Sequence, residues 1–250
     1  MPAAPIRKAK ITGSYAQHAY QTIKDGILKG EFPLGAELSR RKLASQFGMS
    51  ILPVSDALQR LEVEGLVESR ARVGTRVRVP TPQDIRGSFI VREALECQSA
   101  RLFAERASAD QRQKLTQKAK QMDDEWAVLA SMRPVPADKL LRLRKTHMQF
   151  HMDIAEATGY PALCDAIEKN HVLVFVTLYD AVLGDPAEPP QWHEQLMRAL
   201  VERDPDRAEA EMRSHVRLGL EVLLERLEPY LRWDESKLHM LAGHRVKSHR

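Results

Sequence analysis

Apolar residues recur at the spacing of an α-helix along most of the chain. The first helix is predicted over residues 15–29, after a disordered basic arm of residues 1–14. Beyond Pro82 the pattern predicts six helices and no strand, with prolines and glycines separating the later helices. These six cover residues of about 83–107, 110–131, 137–158, 161–183, 190–202 and 205–230. The pattern therefore predicts a mainly α protein.

Two short helices joined by a tight turn are predicted between Ser39 and Gly65. Ser39 and Ser50 can cap these helices, Gly48 ends the first and Gly65 closes the second. Their apolar faces consist of Leu43, Ala44, Phe47, Val54, Ala57, Leu58 and Leu61. Two helices linked through a glycine turn form a helix-turn-helix unit, whose second helix lies in the DNA major groove, but they also form ordinary helical hairpins.

The residues that follow favour the DNA-binding interpretation. Two strands are predicted over residues 66–69 and 76–79, and the turn between them is basic and contains a glycine, Arg70-Ala71-Arg72-Val73-Gly74-Thr75. A helix-turn-helix followed by a basic hairpin is much more specific than either part alone. We therefore predict a winged helix-turn-helix domain over residues 15–80.

Charge and proline divide the chain at the same place. Pro80-Thr81-Pro82 is a stiff break, and it predicts the boundary with a second, all-α domain over residues 83–230. Residues 1–80 carry 13 Lys/Arg and 7 Asp/Glu, a net of +6, whereas residues 81–250 carry 25 and 27, a net of −2. A basic excess on the winged helix is what phosphate neutralisation requires, and this coincidence favours DNA over a merely solvated charged face.

The remaining composition predicts a soluble cytoplasmic protein with no membrane contact. Cys97 and Cys164 lie far apart in helical contexts, which suits a reducing compartment. The basic N-terminus has no apolar stretch behind it and does not resemble a signal peptide. The longest apolar run, Val172 to Val176, is far too short to span a bilayer.

Four histidines occupy inward-facing positions on three of the predicted helices. His147 and His151 are four residues apart and share a face, and His193 and His215 are in line with apolar residues of their own helices. Helical bundles build metal sites from facing core side chains, and neutral imidazole is a good ligand for zinc, nickel or copper. For any one of the four, a satisfied core histidine is the simpler interpretation; the four together favour a metal site.

An enzyme is a poorer fit to the same residues. A helical zinc protease needs a glutamate directly after the first histidine as its general base, and this chain has Met148 there. Four protein ligands would also crowd a catalytic metal, which normally keeps an open position.

The N-terminal pattern resembles the winged-helix domain of GntR-family bacterial transcription regulators. Residues 83–230 resemble the all-helical FCD ligand-sensing domain of the FadR-like subfamily, nearer its VanR-like branch, through Val91 to Glu96 and through Phe150-His151. The winged-helix resemblance is carried by Ile27 to Gly35, Leu38, Leu43-Ala44, Gly48-Met49-Ser50, Pro53-Val54, Ala57-Leu58, Arg60-Leu61-Glu62, Glu64 to Val67 and Gly74-Thr75.

The resemblance implies a homodimer on a two-fold symmetric operator, with a small organic acid bound near a metal in the C-terminal bundle. The family's metal positions fall on His147, His151, His193 and His215. The first is usually aspartate, and His147 makes the site softer, which favours zinc or nickel over a hard ion. Arg92 falls where the family often places an arginine facing the effector. Its guanidinium can hold a carboxylate, or instead form a salt bridge with Glu96.

The resemblance also implies where DNA contacts lie, with one departure. The family typically has arginines at the positions of Ile51 and Ser55, which can read guanine; Ile51 can touch a thymine methyl instead, and Ser55 can hydrogen-bond a base or a phosphate. Arg60 can alternatively face solvent. The candidate DNA-binding residues are Arg40, Arg41, Ser50, Ile51, Ser55, Arg60, Arg70, Arg72, Gly74, Thr75 and Arg76.

The expected function is that of an effector-responsive transcriptional regulator, most often a repressor in this family. Two alternatives remain open from the sequence. One is a DNA-binding protein whose helical bundle only dimerises. The other is a metal-dependent enzyme joined to a nucleic-acid-binding module.

Overall fold

The computed structural model describes residues 6–70, 74–132, 135–170 and 189–231. These residues form nine helices and one two-stranded antiparallel sheet, and they fall into two compact units that divide between Val79 and Pro80. The elements are α1 (Ile6–Leu28), α2 (Arg40–Gln46), α3 (Ile51–Val63), β1 (Val67–Arg70), β2 (Gly74–Val77), α4 (Pro82–Arg106), α5 (Ala109–Ala130), α6 (Ala137–Glu156), α7 (Pro161–Asn170), α8 (Trp192–Val201) and α9 (Pro205–Leu231).

The first unit has the predicted helix-turn-helix. The Ser39 hydroxyl accepts a hydrogen bond from the Lys42 amide at the start of α2, and Gly48 ends the turn after α2 with a φ of 63°. Ser50 precedes α3 in extended conformation, but its side chain makes no capping hydrogen bond. The core between these helices and α1 contains Ile23, Ile27, Leu43, Val54, Leu58 and Leu61.

The wing follows α3 directly. β1 pairs with β2 from Val67–Val77 to Arg70–Gly74, so the second strand begins two residues earlier than the sequence pattern predicted. The segment before α2 extends this hairpin, because the Leu38 amide donates to the Thr75 carbonyl at 2.8 Å. The turn residues 71–73, which include Arg72, lie outside the described residues.

The second unit is helical throughout its described part. Thr81 and Asp84 form a capping box at the start of α4, with Pro82 in the first turn, and Ser108 and Gln111 form another at the start of α5. The most buried side chains of the unit are contributed by α4, α5, α6, α8 and α9, and include Ile85, Phe103, Met122, Phe150, Ile154, Leu196 and Met212. Within the described residues, no helix has the length and apolar character needed to cross a membrane.

The predicted start of the first helix differs from the structure, and the predicted end of the fourth C-terminal helix lies outside the described residues. α1 begins at Ile6, so the prediction of a disordered arm is wrong for residues 6–14. The run Arg7 to Lys10 within this segment consists of good helix formers, which extend a helix at little cost. The fourth C-terminal helix is described only as far as Asn170, and the rest of the predicted span of 161–183 lies outside the described residues, as does His171.

Candidate metal centre and nucleic-acid interface

Four buried histidines meet in the core of the second unit. His147 and His151 come from α6, His193 from the first turn of α8 and His215 from the middle of α9, and none is more than 3% exposed. The ring centroid of His147 is 4.8 Å from those of His151 and His193. His215 is 5.3 Å from His151 and 5.4 Å from His193, again between ring centroids. The structure therefore brings together all four predicted ligands.

The ligand atoms of three of these histidines are close enough to share one ion. Nitrogens of His147, His151 and His215 all lie within 4.8 Å of one another, and the Nε2 atoms of His147 and His151 are 2.9 Å apart. Two nitrogens held about 2.0–2.1 Å from one zinc ion are about 2.9 Å apart at a right angle and about 3.4 Å apart at the tetrahedral angle. The pair thus fits adjacent positions on a metal. His193 is a neighbour in this cluster but is not among the three nitrogen ligands that lie closest together.

His151 is oriented by two residues of α4. Its Nδ1 lies 2.8 Å from Glu96 Oε2, and its Nε2 lies 3.1 Å from a guanidinium nitrogen of Arg92. Because arginine can only donate, His151 accepts at Nε2 and carries its proton on Nδ1, towards the carboxylate. The single lone pair of His151 is therefore on Nε2, where both Arg92 and His147 Nε2 approach it.

Arg92 is held in place by the same carboxylate. Its Nε donates to Glu96 Oε1 at 2.8 Å, and both side chains are buried. The sequence left open whether Arg92 faces the effector or pairs with Glu96; in the structure Arg92 forms this pair and also contacts a candidate metal ligand. Burial alone would raise the pKa of Glu96, but Arg92 and then His151 outweigh burial and hold this pKa at about 2.

His193 is oriented by Asp123 on α5. Its Nδ1 lies 2.5 Å from Asp123 Oδ1, and the backbone amides of His193 and Glu194 donate to Asp123 Oδ2 at 3.1 and 2.9 Å. Gln191, the residue before α8, has a φ of 54° and makes no capping hydrogen bond of its own. Asp123 therefore caps α8 from another helix, an interaction of about 1 kcal/mol, and also fixes the His193 ring.

His215 stacks on Trp192, with ring centroids 4.1 Å apart and an interplanar angle of 26°. Neither of its ring nitrogens has a hydrogen-bond partner among the described residues, and the same is true of His193 Nε2. A buried polar atom without a partner costs about 1–3 kcal/mol. A metal ion bound by these nitrogens would remove this penalty, so the donor set fits a soft or borderline transition metal.

Three of the four histidines, His147, His151 and His215, are held in the neutral form that binds metals. Burial, followed by the charges of His193 and His151, holds the pKa of His147 well below its usual range. Burial has the same effect on the pKa of His215. Burial also lowers the pKa of His151, although Glu96 opposes that shift. At neutral pH each of these three rings therefore has one nitrogen without a proton, which is the form that can coordinate a metal.

Sequence reasoning did not predict the role of Asp123, and it considered Glu96 only as a partner of Arg92. Asp123 has a recognisable signal, because it stands on the apolar face of α5 together with Ala119, Met122 and Trp126. A carboxylate on such a face needs hydrogen-bond donors from elsewhere in the fold. Its partner is 70 positions away, which spacing cannot reveal.

The first unit presents a separate surface with the features of a DNA reader. Arg40 and Arg41 are exposed in the first turn of α2, and Ser50 is exposed just before α3. Ile51 and Leu52, the first two residues of α3, are 50% and 61% exposed. The first residues of a recognition helix are those that contact base edges. Ser55, one turn further on, is half-buried.

Other predicted DNA contacts are engaged within the unit. The Arg60 guanidinium stacks 3.8 Å from the centroid of the Tyr20 ring and donates to Gln17 Oε1 at 2.8 Å. Arg76 pairs with Glu68 across the hairpin. Thr75 is 3% exposed, so its side chain is buried under the wing and does not face solvent.

The remaining wing candidates are described by their backbone or not at all. Gly74 is exposed at the start of β2 with a φ of 111°, a conformation that a side chain would strain. Arg70 is the last residue of β1, and Arg72 lies outside the described residues.

Comparison with known proteins gives both units a family. Residues 15–77 match the bacterial regulatory proteins of the gntR family, and residues 88–218 match the FCD domain. A protein of Paenarthrobacter nicotinovorans named "Probable D-xylose utilization operon transcriptional repressor" is 30% identical over 196 residues, 76% of this chain and 80% of the relative. The "Exu regulon transcriptional regulator" of Escherichia coli (strain K12) is 28% identical over 208 residues, 78% of each chain.

A solved structure agrees on the fold. E. coli McbR/YncC superposes with a TM-score of 0.66 at 21% identity, over 85% of this chain and 98% of that chain. Proteins of this family are regulators, and the enzyme alternative is accordingly wrong. With its GntR winged helix followed by an FCD domain, the chain belongs to the GntR family, FadR-like/FCD subfamily, and is a DNA-binding transcriptional regulator.

Proposed function

We propose that this protein is a repressor that binds a two-fold symmetric operator as a homodimer and responds to a small carboxylic acid. Residues 15–80 would be the DNA-binding domain, and residues 83–230 the domain that dimerises and senses the acid. The observation that carries this proposal is the meeting of four buried histidines beside the buried Arg92. A purely structural bundle has no need of such a cluster, because apolar side chains would fill the same space at lower cost.

The metal would be held by His147, His151, His193 and His215. Imidazole ligands without a carboxylate favour zinc or nickel over calcium or magnesium. When bound, the ion would act as a clamp between α6, α8 and α9, or as a Lewis acid for the effector carboxylate. The first role uses all four histidines, and the second needs one of them to stay unbound, which leaves a coordination position for the acid.

Arg92 is the residue proposed to hold the effector carboxylate. A guanidinium has five N–H donors, and the contacts with Glu96 and His151 use two of them. Arginine binds carboxylates through two parallel hydrogen bonds, which gives direction as well as energy. Its position beside His151 would place an acid between the guanidinium and the metal.

On the DNA side, α2 and the start of α3 are proposed to contact the operator. Arg40 and Arg41 supply positive charge for phosphates, and Ile51 replaces the usual guanine-reading arginine with an apolar group. Acid binding would change the relative placement of the two winged helices of a dimer. This would alter their fit to half-sites about one helical turn apart.

Metal analysis tests the first part of this proposal. Full-length protein reconstituted with zinc or nickel and freed of excess ion is expected to retain about one equivalent per chain. A His147→Ala/His215→Leu variant should retain much less. Wild-type protein that carries below about a tenth of an equivalent would contradict the metal site.

Thermal unfolding tests the effector. The metal-loaded chain is screened against small carboxylic acids, beginning with sugar-derived acids because one relative is named for D-xylose utilization. An acid at ~100 times its dissociation constant should add about 2.7 kcal/mol of stability. Arg92→Gln should lose this response, whereas Arg106→Gln, an exposed arginine at the end of the same helix, should keep it. No response to any acid would favour the bundle that only dimerises.

A further inference from the structure

The strongest unexplained feature of the second unit is the buried carboxylate of Asp123. It is 9% exposed and lies on the apolar face of α5, which also carries Met122 and Trp126. Burying a carboxylate is unfavourable unless hydrogen-bond donors compensate it. Three donor groups from one short segment, the first residues of α8, make hydrogen bonds to Asp123.

We infer that Asp123 is a positioning residue, which presents His193 Nε2 to the metal centre. This inference rests on the proposed metal site and assigns a role to a residue that is not itself a ligand. The two carboxylate oxygens contribute differently. Oδ2 is the nearer acceptor for both backbone amides and so anchors the start of α8, while Oδ1 accepts a hydrogen bond from His193 Nδ1 and a longer one, of 3.3 Å, from the His193 amide.

The hydrogen bond to Oδ1 determines which ring nitrogen carries the lone pair. A neutral imidazole with its proton on Nδ1 has its lone pair on Nε2. His193 Nε2 is buried and has no hydrogen-bond partner among the described residues. The His193 ring meets that of His147 edge-on, with centroids 4.8 Å apart, so the ring is part of the histidine cluster. Asp123 therefore keeps His193 in the tautomer that can coordinate a metal there.

Asp123 also supplies charge that the cluster lacks. The four ligands are imidazoles with no carboxylate among them, and the other carboxylate of the site, Glu96, already neutralises Arg92. A carboxylate hydrogen-bonded to the far side of a ligating imidazole raises the basicity of the ligand and fixes its ring. Loss of such a partner typically weakens metal binding 10–100-fold.

The substitution Asp123→Asn separates positioning from capping. The carbonyl oxygen of the introduced side-chain amide can still accept the two backbone amides, so the cap on α8 is kept. The nitrogen of that side-chain amide then faces His193 Nδ1 and donates to it. The ring must accept at Nδ1, and its proton moves to Nε2, where it blocks coordination. A merely structural role for Asp123 predicts no change of tautomer.

Two readouts on the full-length chain test this. Long-range ¹H–¹⁵N spectra of metal-free, histidine-labelled protein report the tautomer of each ring, and loss of one signal in His193→Gln assigns His193. We expect the Nδ1–H form in the wild type and the Nε2–H form in Asp123→Asn. Zinc affinity, measured by competition with a chelator, should fall 10–100-fold in Asp123→Asn. Asp124→Asn is the matched control, because Asp124 is exposed on the same helix and pairs with Lys120.

The outcomes distinguish this inference from the metal site itself. Wild-type affinity for zinc in Asp123→Asn would overturn the inference and leave the metal site intact. An Nε2–H signal for His193 in the wild-type chain would also overturn the inference. This measurement needs no folded Asp123→Asn protein. A wild-type chain that binds no zinc would overturn the metal site and this role together.

Discussion

His215 shows how one residue can make the fold depend on pH. Burial holds the pKa of His215, like that of His147, well below the value of about 6.5 of an unfolded histidine. Between the two values the unfolded chain binds more protons than the folded chain. The stability contributed by these neutral rings is therefore complete above pH ~6.5 and is lost as the pH falls towards the folded pKa.

We predict that the metal-free protein is less stable at pH 5.5 than at pH 7.5, by up to about 1.4 kcal/mol for each such histidine. His215→Leu removes one of these groups and should make the loss smaller. Urea unfolding in the presence of a chelator at the two pH values measures this. Stability that rises on acidification, or a loss that is unchanged in His215→Leu, would show that these buried histidines do not cause the pH dependence.

Among the elements, we expect α2 and α3 to contribute differently to DNA binding. The charge lies at the start of α2, with Arg40 and Arg41, while the start of α3 is apolar. Charge gives affinity that depends on salt but not on sequence, and apolar contact with a thymine methyl gives sequence preference. Substitutions in α2 should therefore change the salt dependence of binding, and substitutions at the start of α3 should change the sequence preference.

Arg41→Ala is expected to weaken operator binding and to reduce the slope of log affinity against log salt by about 0.9, the value of one phosphate contact. Lys114→Ala, an exposed cation of the second unit, is the control. Fluorescence anisotropy across a salt series gives both quantities. Equal slopes for Arg41→Ala and wild type would show that Arg41 does not contact a phosphate. Arg72→Ala is expected to behave as Arg41→Ala does.

Ile51 is expected to contact a thymine methyl, so that replacing this thymine by deoxyuridine should weaken binding about fourfold, the effect of about 0.8 kcal/mol for one buried carbon. Ile51→Ala should lose a similar amount on the thymine operator and be insensitive to the replacement. Val63→Ala is the control, since Val63 is 84% exposed at the other end of α3. Undiminished sensitivity in Ile51→Ala would show that another residue makes the contact.

At the scale of the whole molecule, the sequence predicted features that depend on nearby residues. Pro82, Gly48 and Pro205 mark ends of helices, and the structure has helix boundaries beside them. The convergence of the histidines was also predictable, because each stands on the apolar face of its own helix. The contacts of Arg60 and Thr75 were not, since stacking on Tyr20 and burial under the wing depend on tertiary packing. Asp123 was missed for the same reason.

Operator binding by the metal-loaded, full-length chain measures whether acid binding in the second unit is coupled to DNA binding by the first. Affinity for the operator should change at least fivefold at saturating concentration of an acid that stabilises the protein, with about fivefold being the lower end of usual coupling. Arg92→Gln should bind the operator normally and show no change with the acid. Operator affinity that stays the same with and without every stabilising acid would contradict the account.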